Sequence, residues 1–357
     1  MASTGWHKAM HSNRMIGVSL GARTTAEAEL ALQDIARSAH IVELRLDFMV
    51  EYDLTRLLRD RPCPVIVTNR PEREGGRFRG NEEDRVRPLL EAIDLGAEYV
   101  DIEHDATHLL EDLNQTHLIA SYHDFSQMPG NVAEIHRDLV DKGADVVKIA
   151  GMARCAEDNV RILNMLSDSS VPTIGIAMGE AGLISRLLTL RYDSCFLTYA
   201  SLGNNRSVAP GQLPVAVMRE VYCAENIGSD TSVYGVLSDK SVPEGLLTSL
   251  NSATREAGLD AVWVPFIVPG SKNDSLADVI NSYRFLPVAG YLVSESHHKV
   301  VSNALDDIES EGCGERINLI RLVNDQLVGG WMPSVQDAFS HITGKLGTKN
   351  LEDFSGI

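Results

Sequence analysis

The sequence predicts an α/β chain of two parts, a (β/α)8 TIM barrel over residues 15–225 and a smaller α/β domain over residues 233–357. Three observations lead there. Eight short apolar, β-rich runs alternate with segments of helical apolar spacing, the polar residues of those runs gather toward their carboxyl ends, and the pattern restarts after a short polar stretch from Cys223 to Ser232.

The eight strand candidates are Gly17–Leu20, Ile41–Asp47, Pro64–Thr68, Tyr99–Glu103, Leu118–Asp124, Val146–Ala150, Thr173–Met178 and Cys195–Ala200. Helical spacing lies between them, as from Glu83 to Leu95 and from Val132 to Lys142, and the eighth strand leads into another helix from Pro214 to Val221. Strands that are apolar throughout suit a parallel sheet covered on both faces, and eight of them fit the lower size range of a closed barrel. An open doubly wound sheet is the structural alternative. It is weakened because no GxGxxG or GxxxxGK[ST] turn follows the first strand. In the second part a strand at Val233–Leu237, a helix from Glu244 to Ala257 and a strand at Ala261–Val268 begin a unit of ordinary domain size.

Composition narrows the function. A formal net charge of -18 over 357 residues argues against a nucleic-acid or anionic-membrane surface, both of which need clustered Lys and Arg. A small anionic substrate would then need a local cationic pocket. The five cysteines, Cys63, Cys155, Cys195, Cys223 and Cys313, are scattered and free of CxxC spacing, so they read as reduced thiols of a cytoplasmic protein rather than disulfides or a zinc site. Met1 to Arg14 reads as a soluble extension, and no run approaches the ~18 apolar residues of a spanning helix.

The placement of polar residues carries the chemistry. Glu43, Arg45 and Asp47 share one face of the second strand by their period of two, Arg70 follows the third, and Glu103 ends the fourth. His123 is on the fifth, Lys148 on the sixth, and Met178 ends the seventh. In a barrel these ends converge on one mouth, where active sites are built. A ladder of buried ion pairs is the plainer account of Asp47 and Glu103.

Lys148 stands in the run Asp145-Val146-Val147-Lys148-Ile149-Ala150. Burial among β-branched neighbours disfavours an ammonium and favours the free amine that attacks carbonyls. The bland alternative is a lysine with a buried stem and a solvated head. A protonated lysine imine acidifies the adjacent carbon, His123 on the neighbouring strand could remove that proton, and a β-hydroxyl could then leave as water. Arg45, Arg70 and Arg186 would bind a substrate carboxylate or hydroxyls.

These residues fall in runs that resemble a known family. Val42-Glu43-Leu44-Arg45-Leu46-Asp47, Asn69-Arg70 with Glu74-Gly75-Gly76, Ser121-Tyr122-His123-Asp124-Phe125, Ala144 to Ala150, Met178-Gly179 with Ile184-Ser185-Arg186, and Ala209-Pro210-Gly211-Gln212 resemble type I 3-dehydroquinate dehydratase in order and spacing, over about residues 15–223. The resemblance implies a barrel lyase of the shikimate pathway of aromatic amino-acid biosynthesis. It would dehydrate 3-dehydroquinate to 3-dehydroshikimate through a lysine Schiff base, with no metal or diffusible cofactor. It also implies Lys148 as the imine lysine, His123 as general acid/base and Glu74 as the carboxylate orienting that histidine. Glu43, Arg45, Arg70 and Arg186 would bind substrate, Arg186 at its carboxylate, and Gln212 would close a lid. Where many members have serine directly before Ala-Pro-Gly-Gln, this chain has Val208, with Ser207 one residue earlier. Arg73, Arg77 and Arg79 read as a solvated charged loop, with a lid role as the alternative.

Val233-Tyr234-Gly235-Val236 and Ala257-Gly258-Leu259-Asp260-Ala261-Val262-Trp263-Val264-Pro265-Phe266 resemble the start of the substrate domain of shikimate dehydrogenase. The chemistry-bearing motifs of that family are worn. No Ser-x-Ser pair is clear around Ser241 to Leu247, Lys299 is displaced by one position, Trp331-Met332-Pro333 lacks the acid, and only Asn318 matches a substrate-contacting residue. The end of the chain at Ile357, with no Gly-rich fingerprint, adds to the expectation of a domain without dehydrogenase activity, serving packing, homodimer formation or ligand sensing. Two other readings stand beside the lyase: a class I aldolase on the same scaffold, which normally needs a phosphate cradle not visible here, and a non-catalytic binding or regulatory protein.

Overall fold

The structure, a computed structural model, describes residues 14–203, 209–268, 275–309 and 316–344. The readings at Met1 to Asn13, Ser207, Val208, Cys313 and Ile357 lie outside the described residues.

Eight strands form one parallel sheet: β1 (Met15–Leu20), β2 (Ile41–Arg45), β3 (Val65–Thr68), β4 (Tyr99–Glu103), β5 (His117–Asp124), β6 (Val146–Met152), β7 (Thr173–Met178) and β8 (Leu197–Ala200). They pair in chain order, β1 also pairs with β8, and a parallel bridge from Thr173 to Cys195 closes the ring between β7 and β8. The fold is therefore the predicted (β/α)8 barrel. Outside it lie α1 (Thr25–Ile35), α2 (Leu54–Arg59), α3 (Glu82–Asp94), α4 (Val132–Asp141), α5 (Asp158–Asp168), α6 (Leu183–Leu188) and α7 (Val215–Glu220). Local chemistry sets their starts. The Thr24 hydroxyl accepts from the Glu27 N–H, and the Asn81 side chain accepts from the Asp84 N–H with three acids in the first turn of α3.

Alternation along the strands gives the barrel two apolar layers. Outward residues such as Ile16, Val42, Val65, Val100, Leu118 and Val147 pack beneath the helices, whereas Met15, Ile41, Ile66, Tyr99, Ile119, Val146 and Ile174 fill the barrel floor. The inward positions above that floor are mostly polar.

One expectation is corrected. The second strand stops at Arg45, and Leu46–Phe48 form a short 3-10 turn, so Asp47 does not continue the strand face of Glu43 and Arg45. The turn lets the Asp47 carboxylate fold back and accept from Arg45 Nε and Nη2, both at 2.8 Å, and from the backbone N–H groups of Arg70 and Arg77. A bidentate charge-assisted pair outweighs one more residue of strand.

The second part has β9 (Ser232–Ser238), α8 (Glu244–Glu256), β10 (Ala261–Ile267), α9 (Ser275–Ser282), β11 (Val288–Val293), β12 (Asp307–Ile308), β13 (Leu319–Val323), β14 (Gln326–Gly330) and α10 (Val335–Thr343). Its mixed sheet runs in the order β10-β9-β11-β13-β14-β12. Trp263 centres the core, stacked on Tyr234 at 4.8 Å and donating its indole N–H to Thr254 Oγ1 at 3.0 Å. Among the described residues no helix is long and apolar enough to cross a membrane.

Candidate active site

The polar upper interior of the barrel opens into a small cavity lined by Glu43, Arg45, Arg70, Glu74, His123, Lys148, Arg186 and Gln212, together with Ser19, Tyr199 and several apolar side chains. All eight residues singled out from the sequence therefore face one space. Glu43, Arg45, His123 and Lys148 point inward from β2, β5 and β6, whereas Arg70, Glu74, Arg186 and Gln212 lie outside the strands. Ser121 is level with Lys148 across β5 and β6, which sets His123 one inward step nearer the mouth.

Lys148 is buried, but its surroundings differ from the expected apolar wall. Its Nζ donates to Glu43 Oε1 at 2.9 Å and Asp101 Oδ2 at 2.7 Å, and lies 3.4 Å from the Tyr199 hydroxyl. Ser19 and Thr68 donate to the two Glu43 oxygens at 2.5 and 3.0 Å. Burial by itself would raise the carboxyls of Glu43 and Asp101. Lys148 and Arg45 outweigh it at Glu43, Arg70 and Lys148 outweigh it at Asp101, and both stay below the usual carboxylate range. Two fixed anions thus flank the one amine of the cavity.

His123 Nδ1 lies 3.0 Å from Glu74 Oε2, while His104 Nδ1 approaches Glu74 Oε1 at 3.3 Å. Glu74 is buried. Burial pushes its carboxyl up to about 8 against the opposing pull of Arg70, with Glu103, Asp105 and Asp101 adding to the rise. Burial, then Arg70 and Lys148, drive His123 well below the ordinary imidazole range against Asp101. The shift at His123 favours the uncharged imidazole, the form that can take up a proton.

The arginines divide by partner. Arg45 is held by Asp47, and Arg70 is held by Asp101 at 2.7 Å and Glu103 at 2.6 Å, with Arg85 closing on the other Glu103 oxygen at 2.5 Å. Asp47 and Glu103 are thus members of buried ion pairs. Arg186 is buried with no carboxylate within 4.0 Å among the described residues; its Nη2 donates to the Pro210 carbonyl at 2.8 Å, and its Nε is unpartnered. Burial lowers its pKa to about 10. Gln212 lines the same cavity on a turn seated against Gly179, where the positive φ of Gly211 and the 2.3 Å that a Cβ would leave to the Gly179 carbonyl require glycine. Arg73 pairs with Glu82 and Asp105, Arg79 pairs with Glu72, and Arg77 covers the Phe48 ring, all on the charged loop expected there.

Sequence reasoning passed over Asp101, Ser19 and Tyr199. The signal was present for Asp101: it alternates with Glu103 on β4, so the period-two argument applied to β2 would have placed it inward. In the second domain Asn318 is committed to the Met332 backbone, donating to its carbonyl at 2.7 Å and accepting its N–H at 2.9 Å. Lys299 and Pro333 are exposed, and the buried His297 is bonded to Ser294, Ser296 and the Val268 carbonyl.

The chain is similar to known proteins in sequence and fold. Residues 16–229 match the family model for type I 3-dehydroquinase. The 3-dehydroquinate dehydratase of Methanopyrus kandleri is 36% identical over 214 residues, covering 58% of this chain and 98% of that protein. The chloroplastic bifunctional 3-dehydroquinate dehydratase/shikimate dehydrogenase of Arabidopsis thaliana is 30% identical over 287 residues; the match covers 76% of this chain but 46% of that relative's length. Among solved structures, the 3-dehydroquinate dehydratase of Geobacillus kaustophilus superposes with a TM-score of 0.50 at 27% identity, covering 58% of this chain and 89% of that one. The dehydroquinate dehydratase and shikimate dehydrogenase of S. pombe AroM shares the fold across both parts, with a TM-score of 0.51 at 22% identity over 91% of this chain and 66% of that one. The family match spans all eight barrel strands and every residue of the cavity described above, and the chain belongs to the type I 3-dehydroquinase family.

Proposed function

We propose that this chain dehydrates 3-dehydroquinate to 3-dehydroshikimate through an imine on Lys148. The observation that carries the reading is the cavity that joins a buried lysine, a histidine bonded to a buried glutamate, and an arginine free of carboxylates. Lys148 Nζ, after giving up a proton, adds to the substrate ketone, and loss of water leaves a protonated imine. Glu43 and Asp101, which neutralise the ammonium, would neutralise the iminium equally well. His123 takes the proton from the carbon next to the imine carbon, giving an enamine. The enamine electrons then expel the β-hydroxyl, which leaves as water with the proton carried by His123. A second water hydrolyses the imine and returns the amine.

Glu74 holds the imidazole in place and sets its tautomer. Arg186 would take the substrate carboxylate, because Arg45 and Arg70 already spend their charge on Asp47, Asp101 and Glu103. Gln212 would close over the bound substrate. No step calls on a metal or a diffusible cofactor. The reading extends to a cytoplasmic enzyme, supported by the free thiols of Cys63, Cys155, Cys195 and Cys223. It also extends to a homodimer through the second domain, where Ile308, Leu322 and Val323 leave apolar surface exposed.

The test is direct. Purified protein given 3-dehydroquinate should produce the absorbance rise of a conjugated enone. Absence of that rise in folded protein would contradict the assignment.

A further inference from the structure

The helix that carries Arg186 does not rest on the barrel alone. α6 packs against β10 of the second domain, and the apolar layer outside the barrel strands runs without a break into the core of that domain. Tyr283, just after α9, is fully buried, and its hydroxyl donates to the Ala156 carbonyl at 2.6 Å, on the loop that follows the Lys148 strand. Its ring is fixed within the second domain by an edge contact to Phe266 at 4.9 Å.

From Ala156 the bonding continues to the arginine. Asn159, also fully buried, donates to the Ala156 carbonyl at 2.9 Å and to the Ala181 carbonyl at 2.8 Å, while its Oδ1 accepts the backbone N–H of Ser185 at 3.0 Å. The Ser185 hydroxyl accepts the Ala177 N–H and donates to the Gly182 carbonyl, both at 2.9 Å, which binds the first turn of α6 to the end of β7. The next residue is Arg186. A second tie sits on the same loop, where Ser241 of the second domain bonds the Glu180 carboxylate. Every polar atom of Asn159 is used, so a shift at Ala156 has no slack to absorb it before α6.

We propose that Tyr283 is a positioning residue for substrate binding: through Ala156, Asn159 and Ser185 it lets the second domain fix Arg186, so that this domain sets the affinity of the barrel for an anionic substrate. The inference rests on the lyase reading and on Arg186 as the carboxylate ligand. It gives the second domain a task that requires no dehydrogenase chemistry of its own.

Tyr283→Phe keeps the ring packing and removes only the hydroxyl. With 3-dehydroquinate as substrate, the variant should show KM raised roughly fivefold, the scale of one lost hydrogen bond, at nearly unchanged kcat. Ser241→Ala, at an exposed position that does not threaten folding, should move KM the same way by a smaller factor. A merely structural role would instead lower the active fraction, so that apparent kcat falls and KM stays fixed. That pattern, or an unchanged KM in both variants, overturns the proposal. If Tyr283→Phe does not fold, the KM of Ser241→Ala decides alone. Turnover by the wild-type protein is the control: none at all would remove the lyase reading and this inference together, whereas normal wild-type turnover with unmoved variants removes this inference only.

Discussion

His123 and Lys148 lie within one cavity but are supported in different ways, and substitutions should separate their tasks. His123→Ala should slow kcat by about a hundredfold or more while leaving imine formation intact, because general acid/base transfer is lost and the amine is not. Steady-state rates alongside trapping of the imine read both quantities, and a wild-type rate would rule out the proton-transfer role. Glu74 offers a pH test. Its folded carboxyl sits near 8 against an ordinary 4.5, so the folded state holds a proton that the unfolded chain has released. Stability from this group is therefore greatest at low pH and falls as pH rises toward about 8. Thermal melts of Glu74→Gln should gain on the wild type across that window, and a constant difference would contradict the buried acid. The residue scale was largely readable from sequence, since Lys148, His123 and the arginines mark themselves by charge inside apolar runs. What the runs could not display was the partner of each charge: that Arg45 and Arg70 are spent on carboxylates while Arg186 is not depends on side chains from β4, from the turn after β2 and from α3.

At the scale of elements, strands were legible and their ends were not. A buried parallel strand declares itself by an unbroken apolar run, whereas its last residue is decided by whatever hydrogen bond competes with the ladder, as Asp47 does when it turns back to Arg45. The Glu74 turn follows the same logic. Gly76 lies so close to the strand-end arginine that a Cβ there would stand 2.0 Å from the Arg70 carbonyl and 2.5 Å from its Cβ. Gly76→Ala must displace the turn, since backbone cannot yield as a side-chain tip can. It should cost about 1–3 kcal/mol of stability, in the range of an overpacked site. It should also lower kcat at least tenfold by drawing Glu74 from His123. Chemical denaturation and initial rates check both effects, and a variant as active and as stable as wild type would show that the turn has room to move.

For the whole molecule, the two-part division was legible because the βα pattern restarts at β9. The joint between the parts was not, since a tyrosine just after α9 gives no sign in sequence that its hydroxyl reaches the barrel. We propose that the second domain carries out no hydride transfer: among the described residues Lys299 and Pro333 are exposed and Asn318 is bonded to the Met332 backbone. The chain should accordingly show no oxidation of a reduced nicotinamide that depends on 3-dehydroshikimate, and spectrophotometric detection of such oxidation would return dehydrogenase activity to this domain. The central claim is the imine at Lys148, and one measurement addresses it on the intact protein. Borohydride added together with 3-dehydroquinate should inactivate the enzyme and add the mass of one reduced ligand, with peptide mapping placing it on Lys148. An adduct on Lys142 or Lys299, or full activity with no adduct at all, would contradict the account.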